Sequence, residues 1–157
     1  NAIASGISNT MNTPIEVLEM SFPVRVDEYV LVTDSGGPGR FRGGLGASRT
    51  WTVLDHKARA SACLERTKSP PFGLSGGKPG FAAKIWTEAP NGELGVAPGK
   101  GGFDVPNGGQ IHLRVPGSGG YGNPSKRDPN AIKEDILDEY VSEEAAQMHY
   151  GVKISDI

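Results

Sequence analysis

The distribution of glycine and proline limits this chain more than any other feature. Twenty-three glycines and twelve prolines fall among 157 residues. They cluster in DSGGPGRFRGGLG (34–46), TKSPPFGLSGGKPG (67–80) and PGSGGYG (116–122). Glycine removes the side chain that makes a helix or strand interior worth ordering, and proline removes a backbone donor. Runs broken this often can form only short elements joined by tight turns, the pattern of a strand-rich domain.

The segments between the breaks agree with that reading. In DEYVLVTD, Glu28, Val30 and Val32 alternate with Tyr29, Leu31 and Thr33, the period of a strand. ASRTWTVLD is rich in β-branched and aromatic residues, and ARASACLER alternates small ones. FAAKIWTEA and QIHLRVPG read as further strands, with the hairpin signal Asn91-Gly92 between them. NTPIEVLE predicts a short helical turn with Thr13 as N-cap, Pro14 at the first helical position and Glu16 completing a capping box. After Asp128 the pattern becomes helical. Asp128 and Pro129 open one helix with Ile132, Ile136 and Leu137 on one side, Ser142 opens a second, and Gly151 stops it. The expected fold is mainly β: a sandwich or barrel-like body of short strands over residues 1–127, and two short C-terminal helices over 128–157 of the same single domain.

Composition excludes several functions. A net charge of −2 gives no reason to expect nucleic acid or a charged membrane surface as partner. No apolar run has the length of a membrane span and no signal-peptide pattern opens the chain. Cys63 is the single cysteine, so there is no internal disulfide or cysteine zinc cage, and a reducing compartment fits. Within its alternating strand it reads as a small buried hydrophobe. The chain opens on NAIASG without an initiator methionine, which reads as a fragment, a processed chain or a non-native Asn1-Ala2.

None of the glycine clusters completes a catalytic motif. A phosphate-binding loop fails at Gly77-Lys78-Pro79 and at Gly99-Lys100-Gly101, where Ser or Thr must follow the lysine. A dinucleotide fingerprint fails because Arg42 stands where the third glycine belongs. Gly73, Ser75 and Gly77 fit G-x-S-x-G, but SPPF before and KPG after deny it the strand-to-helix elbow a nucleophilic serine needs. His56, His112 and His149 lie far apart and read as structural. Two readings of DSGGPGRFRGGLG remain open: a turn whose glycines supply positive φ, or a loop presenting Arg40 and Arg42, which flank Phe41, on one face. Arg40, Arg42, Arg66, Lys68 and Lys78 all lie in glycine- or proline-rich connections. If these connections meet, they make a cationic patch for a carboxylate, a phosphorylated intermediate or an acidic partner; otherwise each charge is separately solvated.

NTMNTPIEVLE, DSGGPGRFRGGLG, ERTKSPPFGLSGGKPG, PGSGGYGNPSKRDP and YVSEEAAQMHYGV occur in that order. Together they resemble the C-terminal part of the hydantoinase B/5-oxoprolinase family, over Asn9 to Val152. Ser118 and Asn123 depart mildly from its pattern, which has Gly and Asp there. The resemblance implies a C-terminal domain of an N-methylhydantoinase B-type subunit, inactive alone, in a cytoplasmic ATP-dependent cyclic amide hydrolase. It implies a hydantoinase A-type ATP-binding subunit or fused half as partner, together with the upstream part of the B-type chain. ATP and a divalent metal belong to the whole enzyme, with no metal ligands or cofactor expected in this chain. The alternatives are a structural or assembly domain of an acetone or acetophenone carboxylase-type subunit, and a stand-alone β-domain binding a ligand through its arginine loops.

Overall fold

The structure, a computed structural model, describes residues 12–152. It is mainly β, as the sequence predicts, but the body is an open sheet and not a closed barrel. β1 (Val24–Leu31), β2 (Ala47–Val53), β4 (Lys84–Glu88), β5 (Leu94–Val96) and β7 (Gln110–Arg114) form one antiparallel sheet in the order β1-β2-β7-β4-β5. β3 (Ala58–Cys63) and β6 (Lys100–Val105) form a separate two-stranded ribbon. The Asn91-Gly92 signal makes a hairpin, with Gly92 at φ 82° and the Ala89 amide donating to the Glu93 carbonyl. Its second strand is β5, which is not among the strands expected from sequence. Neither is β6, because Gly101 and Gly102 mask its strand character.

Exposure alternates along β3, so its alanines face in and Cys63 faces out. Cys63 is therefore exposed and not the buried hydrophobe that alternation alone suggests: among the described residues the ribbon has only two strands, and this face of it is open. Exposed ion pairs dress the ribbon, Lys57 with Asp104 at 2.9 Å and Lys100 with Glu65 at 2.5 Å.

The first helix, α1 (Ile15–Ser21), begins one residue later than expected. Pro14 has ψ 139°, an extended value, so it occupies the cap position itself and makes no side-chain bond there. Thr13 is left outside the helix and does not cap it. Glu19 ties α1 to the sheet by accepting the Val26 amide at 2.7 Å.

Three irregular segments, 35–46, 71–80 and 117–122, join the strands and pack backbone against backbone. Gly37 donates to the Ser118 carbonyl (2.8 Å), Lys78 to Pro38 (2.7 Å), Gly120 to Lys78 (2.9 Å) and Leu74 to Gly120 (2.9 Å). Most glycines here serve closeness, with Gly76 and Gly122 the two that take a positive φ, 92° and 75°. None between 36 and 46 has a positive φ; in the stretch from Asp34 only Asp34 does, at 62°. A Cβ at Gly37 would overlap the Lys78 carbonyl, and one at Gly120 the Pro38 carbonyl. The buried Ser35 hydroxyl closes the first segment by accepting the Gly46 amide at 2.9 Å and donating to the Val32 carbonyl at 2.5 Å.

The C-terminal helices dock on this glycine hub. α2 (Pro129–Leu137) is capped by Asp128, whose carboxylate accepts the Asn130 amide at 3.0 Å. α3 (Glu143–Tyr150) is capped by Ser142, which accepts the Ala145 amide at 3.1 Å, and ends at Gly151 with φ 73°. Ile132, Val141, Ala146 and Tyr150 form their buried cluster with Ile136 packed against it, while Leu137 points to solvent. Asp34 accepts the Ser142 amide at 2.8 Å. Beneath the helices, Arg42 grips Asp135 with two bonds, 3.1 and 3.0 Å, and Arg127 donates to the same carboxylate at 2.5 Å. All three side chains are buried to 13% exposure or less.

These contacts set two expectations for equilibrium urea denaturation of the full chain. Ser142→Ala should cost about 0.5–2 kcal/mol while Thr13→Ala costs nothing measurable, because of these two residues Ser142 alone caps a helix. Asp135→Ala should cost about 3–5 kcal/mol, since it strands two buried guanidinium groups. A wild-type midpoint for Asp135→Ala would show that the arginines do not depend on it.

Candidate functional site

The structure sorts the five sequence-predicted cations into two surroundings. Arg40, Arg42 and Lys78 belong to the glycine hub. Arg40 is exposed, with its guanidinium 5.4 Å from the Phe41 ring centre. Arg42 turns inward to Asp135 and lies 5.3 Å from the Tyr140 ring centre. The two arginines therefore do not present one face to a ligand, because the buried carboxylate claims one of them. Lys78 anchors the hub through its backbone and keeps its side chain exposed.

Arg66 and Lys68 come together. Both line an open groove of about 740 Å³ at the tip of the β3–β6 ribbon, with Thr67, Ser69, Glu65 and Lys100 among its other walls. Two backbone bonds fix the loop, from Leu64 N–H to the Gly99 carbonyl (2.7 Å) and from Ala83 N–H to the Arg66 carbonyl (3.0 Å). Arg66 has φ 61°, a left-handed conformation uncommon for a long side chain. The Lys100 ammonium beside Glu65 holds that carboxyl below its usual range, and Glu65 in turn raises Lys100. Neither Arg66 nor Lys68 has a carboxylate within ion-pair distance among the described residues.

A polar row on the five-stranded sheet is absent from the sequence-predicted sites. Register places Thr50, His112 and Trp86 side by side on β2, β7 and β4. His112 shares a 3.1 Å hydrogen bond with Thr50 through Nδ1 and stacks on Trp86 at 4.9 Å. Its Nε2 lies 3.4 Å from Glu88 Oε2, buried and without a well-aligned hydrogen bond. Next along the sheet, burial opposes ionisation of Asp27, but hydrogen bonds from Thr52, Arg25 and Gln110 outweigh it and hold the carboxyl below its usual range. The signal was present as period-two polar sets: Ser48, Thr50 and Thr52, then Gln110, His112 and Arg114. Asp135 was also legible, as a carboxylate between Ile132 and Ile136 on an otherwise apolar helix face.

A divalent metal finds no fitting donor set among the described residues, and ATP finds no phosphate-loop motif. Among the described residues no three of His, Cys, Asp or Glu converge to hold an ion, and the phosphate-loop pattern fails at both Gly-Lys pairs. No step is assigned to either group through these residues. No helix of the described residues is long and apolar enough to cross a membrane.

Comparison with known proteins places these features in a lineage. The family model for hydantoinase B/oxoprolinase matches residues 1–124. The B-type subunit of a putative D-/L-hydantoinase from Pseudomonas sp. (strain NS671) is 35% identical over 164 residues, covering 99% of this chain and 26% of that protein. The crystal structure of ATP-dependent caprolactamase from Pseudomonas jessenii superposes with a TM-score of 0.80 at 30% identity, over 92% of this chain and 26% of that one. Nucleotide-free acetone carboxylase, at 19% identity and a TM-score of 0.69 over 89% of this chain and 23% of that one, shares the fold. The chain thus spans about a quarter of the length of the hydantoinase and caprolactamase subunits it matches, and about a tenth of the 5-oxoprolinases. Motif order, strand topology and sequence similarity agree that the chain belongs to the hydantoinase B/oxoprolinase family.

Proposed function

We propose that this chain is the C-terminal portion of a B-type subunit in a cytoplasmic, ATP-dependent enzyme that opens cyclic amides. The observation that carries the reading is the likeness to ATP-dependent caprolactamase, which extends over nearly the whole chain in both sequence and fold. Relatives named as single subunits of a hydantoinase and of a caprolactamase support a companion chain, which on this reading is of the A type and binds ATP. An amide oxygen is a poor place to accumulate charge. Phosphorylating it from ATP makes the ring carbon electrophilic: water adds there, and the C–N bond breaks as the protonated ring nitrogen leaves. A second water hydrolyses the resulting acyl phosphate to a carboxylate and inorganic phosphate. ATP and a divalent metal act in the whole enzyme, outside the described residues. The chain's own part is to supply a rigid sheet and hub, and to carry loop cations to the edge of the site. The carboxylase alternative rests on a fold likeness at 19% identity, so ring opening is the better-supported reaction.

The test is an assay of the full-length protein with its co-purifying partner on hydantoin, 5-oxoproline and caprolactam. Ring opening coupled to ATP consumption is expected, and the 157-residue chain by itself should open none of the three. Carboxylation of a ketone without ring opening would transfer the chain to the alternative reading. Turnover by the isolated chain would show that it carries a complete catalytic site.

A further inference from the structure

We infer that the groove at the ribbon tip is a phosphate-binding site, with Arg66 and Lys68 as its cationic ligands. The assignment rests on the geometry of the groove and holds whatever reaction the whole protein performs. Arg66 offers a planar fork of donors, Lys68 a mobile point charge, and Thr67 and Ser69 add hydroxyl donors from the same short loop. Glu65 is the anion of the groove, and Lys100 already holds it at 2.5 Å. With that pair neutralised, two positive charges remain with no carboxylate within ion-pair distance among the described residues. A phosphate dianion matches them; a monoanionic carboxylate leaves one uncompensated.

The backbone supports this assignment. Bonds at Leu64 and at the Arg66 carbonyl hold the backbone on both sides of Glu65, so what binding must still order is chiefly the Arg66 and Lys68 side chains. Gly99 keeps the floor open, since a Cβ there would press on the Thr67 methyl at 3.1 Å. The volume, about 740 Å³, exceeds that of an inorganic phosphate. The ligand class is therefore a phosphorylated small molecule, with the phosphoryl group on Arg66 and Lys68 and the remainder in the open part of the groove. A phosphorylated substrate and a nucleotide share this chemistry.

Calorimetric titration of the purified full-length protein, with any partner that co-purifies, tests the assignment using inorganic phosphate, acetate and ADP as probes. Phosphate should bind and acetate should not. Lys68→Ala and Arg66→Asn should each weaken phosphate roughly tenfold or more, as the loss of a charge-assisted hydrogen bond does. Asparagine tolerates the left-handed backbone at position 66, so that variant removes the charge without straining the loop. Arg40→Ala, whose cation lies outside the groove, should leave phosphate binding unchanged. ADP affinity that falls in the same variants identifies a nucleotide as the ligand, and unchanged ADP affinity beside weakened phosphate identifies a phosphorylated substrate. Phosphate binding that survives both groove variants, acetate binding as tight as phosphate, or no phosphate binding to the wild-type protein would each overturn the assignment. So would variants that bind phosphate normally but lose the companion chain, which would make the groove a protein contact.

Discussion

The structure depends on how closely three backbones approach one another in the glycine hub. Segment 35–46 leads into β2, segment 117–122 follows β7, and segment 71–80 precedes β4. The three central strands of the sheet are thus threaded through one knot of backbone. Its amides and carbonyls satisfy one another, as buried peptide groups must. Ordering glycine costs more entropy than ordering any other residue. Here that cost is offset by contacts that no residue with a side chain could make, because a Cβ at Gly37 or Gly120 would occupy a neighbouring carbonyl.

The C-terminal helices extend the same logic with charge. Arg42 lies within the hub, and its bidentate grip on Asp135, reinforced by Arg127, holds α2 against the glycine segments. Asp34, at the start of the stretch, holds the first turn of α3 through the Ser142 amide. One glycine-rich segment therefore organises the sheet through its backbone and the helices through two side chains. Arg66 and Lys68, on a loop away from these contacts, line the groove at the ribbon tip together.

How much of this was legible depends on whether a residue's role is local. Strand periodicity, the Asn91-Gly92 turn and the caps at Asp128 and Ser142 are local, and each is found where the sequence predicts it. Thr13 fails as a cap because its role turns on the ψ of Pro14, which the residue types do not disclose. The hub is harder to read for a deeper reason. Glycine is used both for positive φ and for close approach, and only the partner segments, distant along the chain, decide which applies. Arg42 is similar: its alternation with Arg40 suggests a shared face until Asp135, 93 residues on, claims it. The His112 row was legible in outline, since its strands carry polar residues at period two, but only the register aligns them.

The central claim is that the closely packed glycines of the hub, Gly37 and Gly120 among them, are required for the absence of a Cβ. The most direct measurement compares Gly120→Ala with Gly102→Ala in the full chain by urea denaturation. At Gly102 a Cβ would meet the flexible Arg59 side chain first, at 3.4 Å, whereas at Gly120 it would strike the Pro38 and Gly37 carbonyls. Gly120→Ala should lose about 3 kcal/mol or more, at or beyond the upper end of overpacking effects, and Gly102→Ala less than about 1 kcal/mol. Equal midpoints for the two variants would contradict the account.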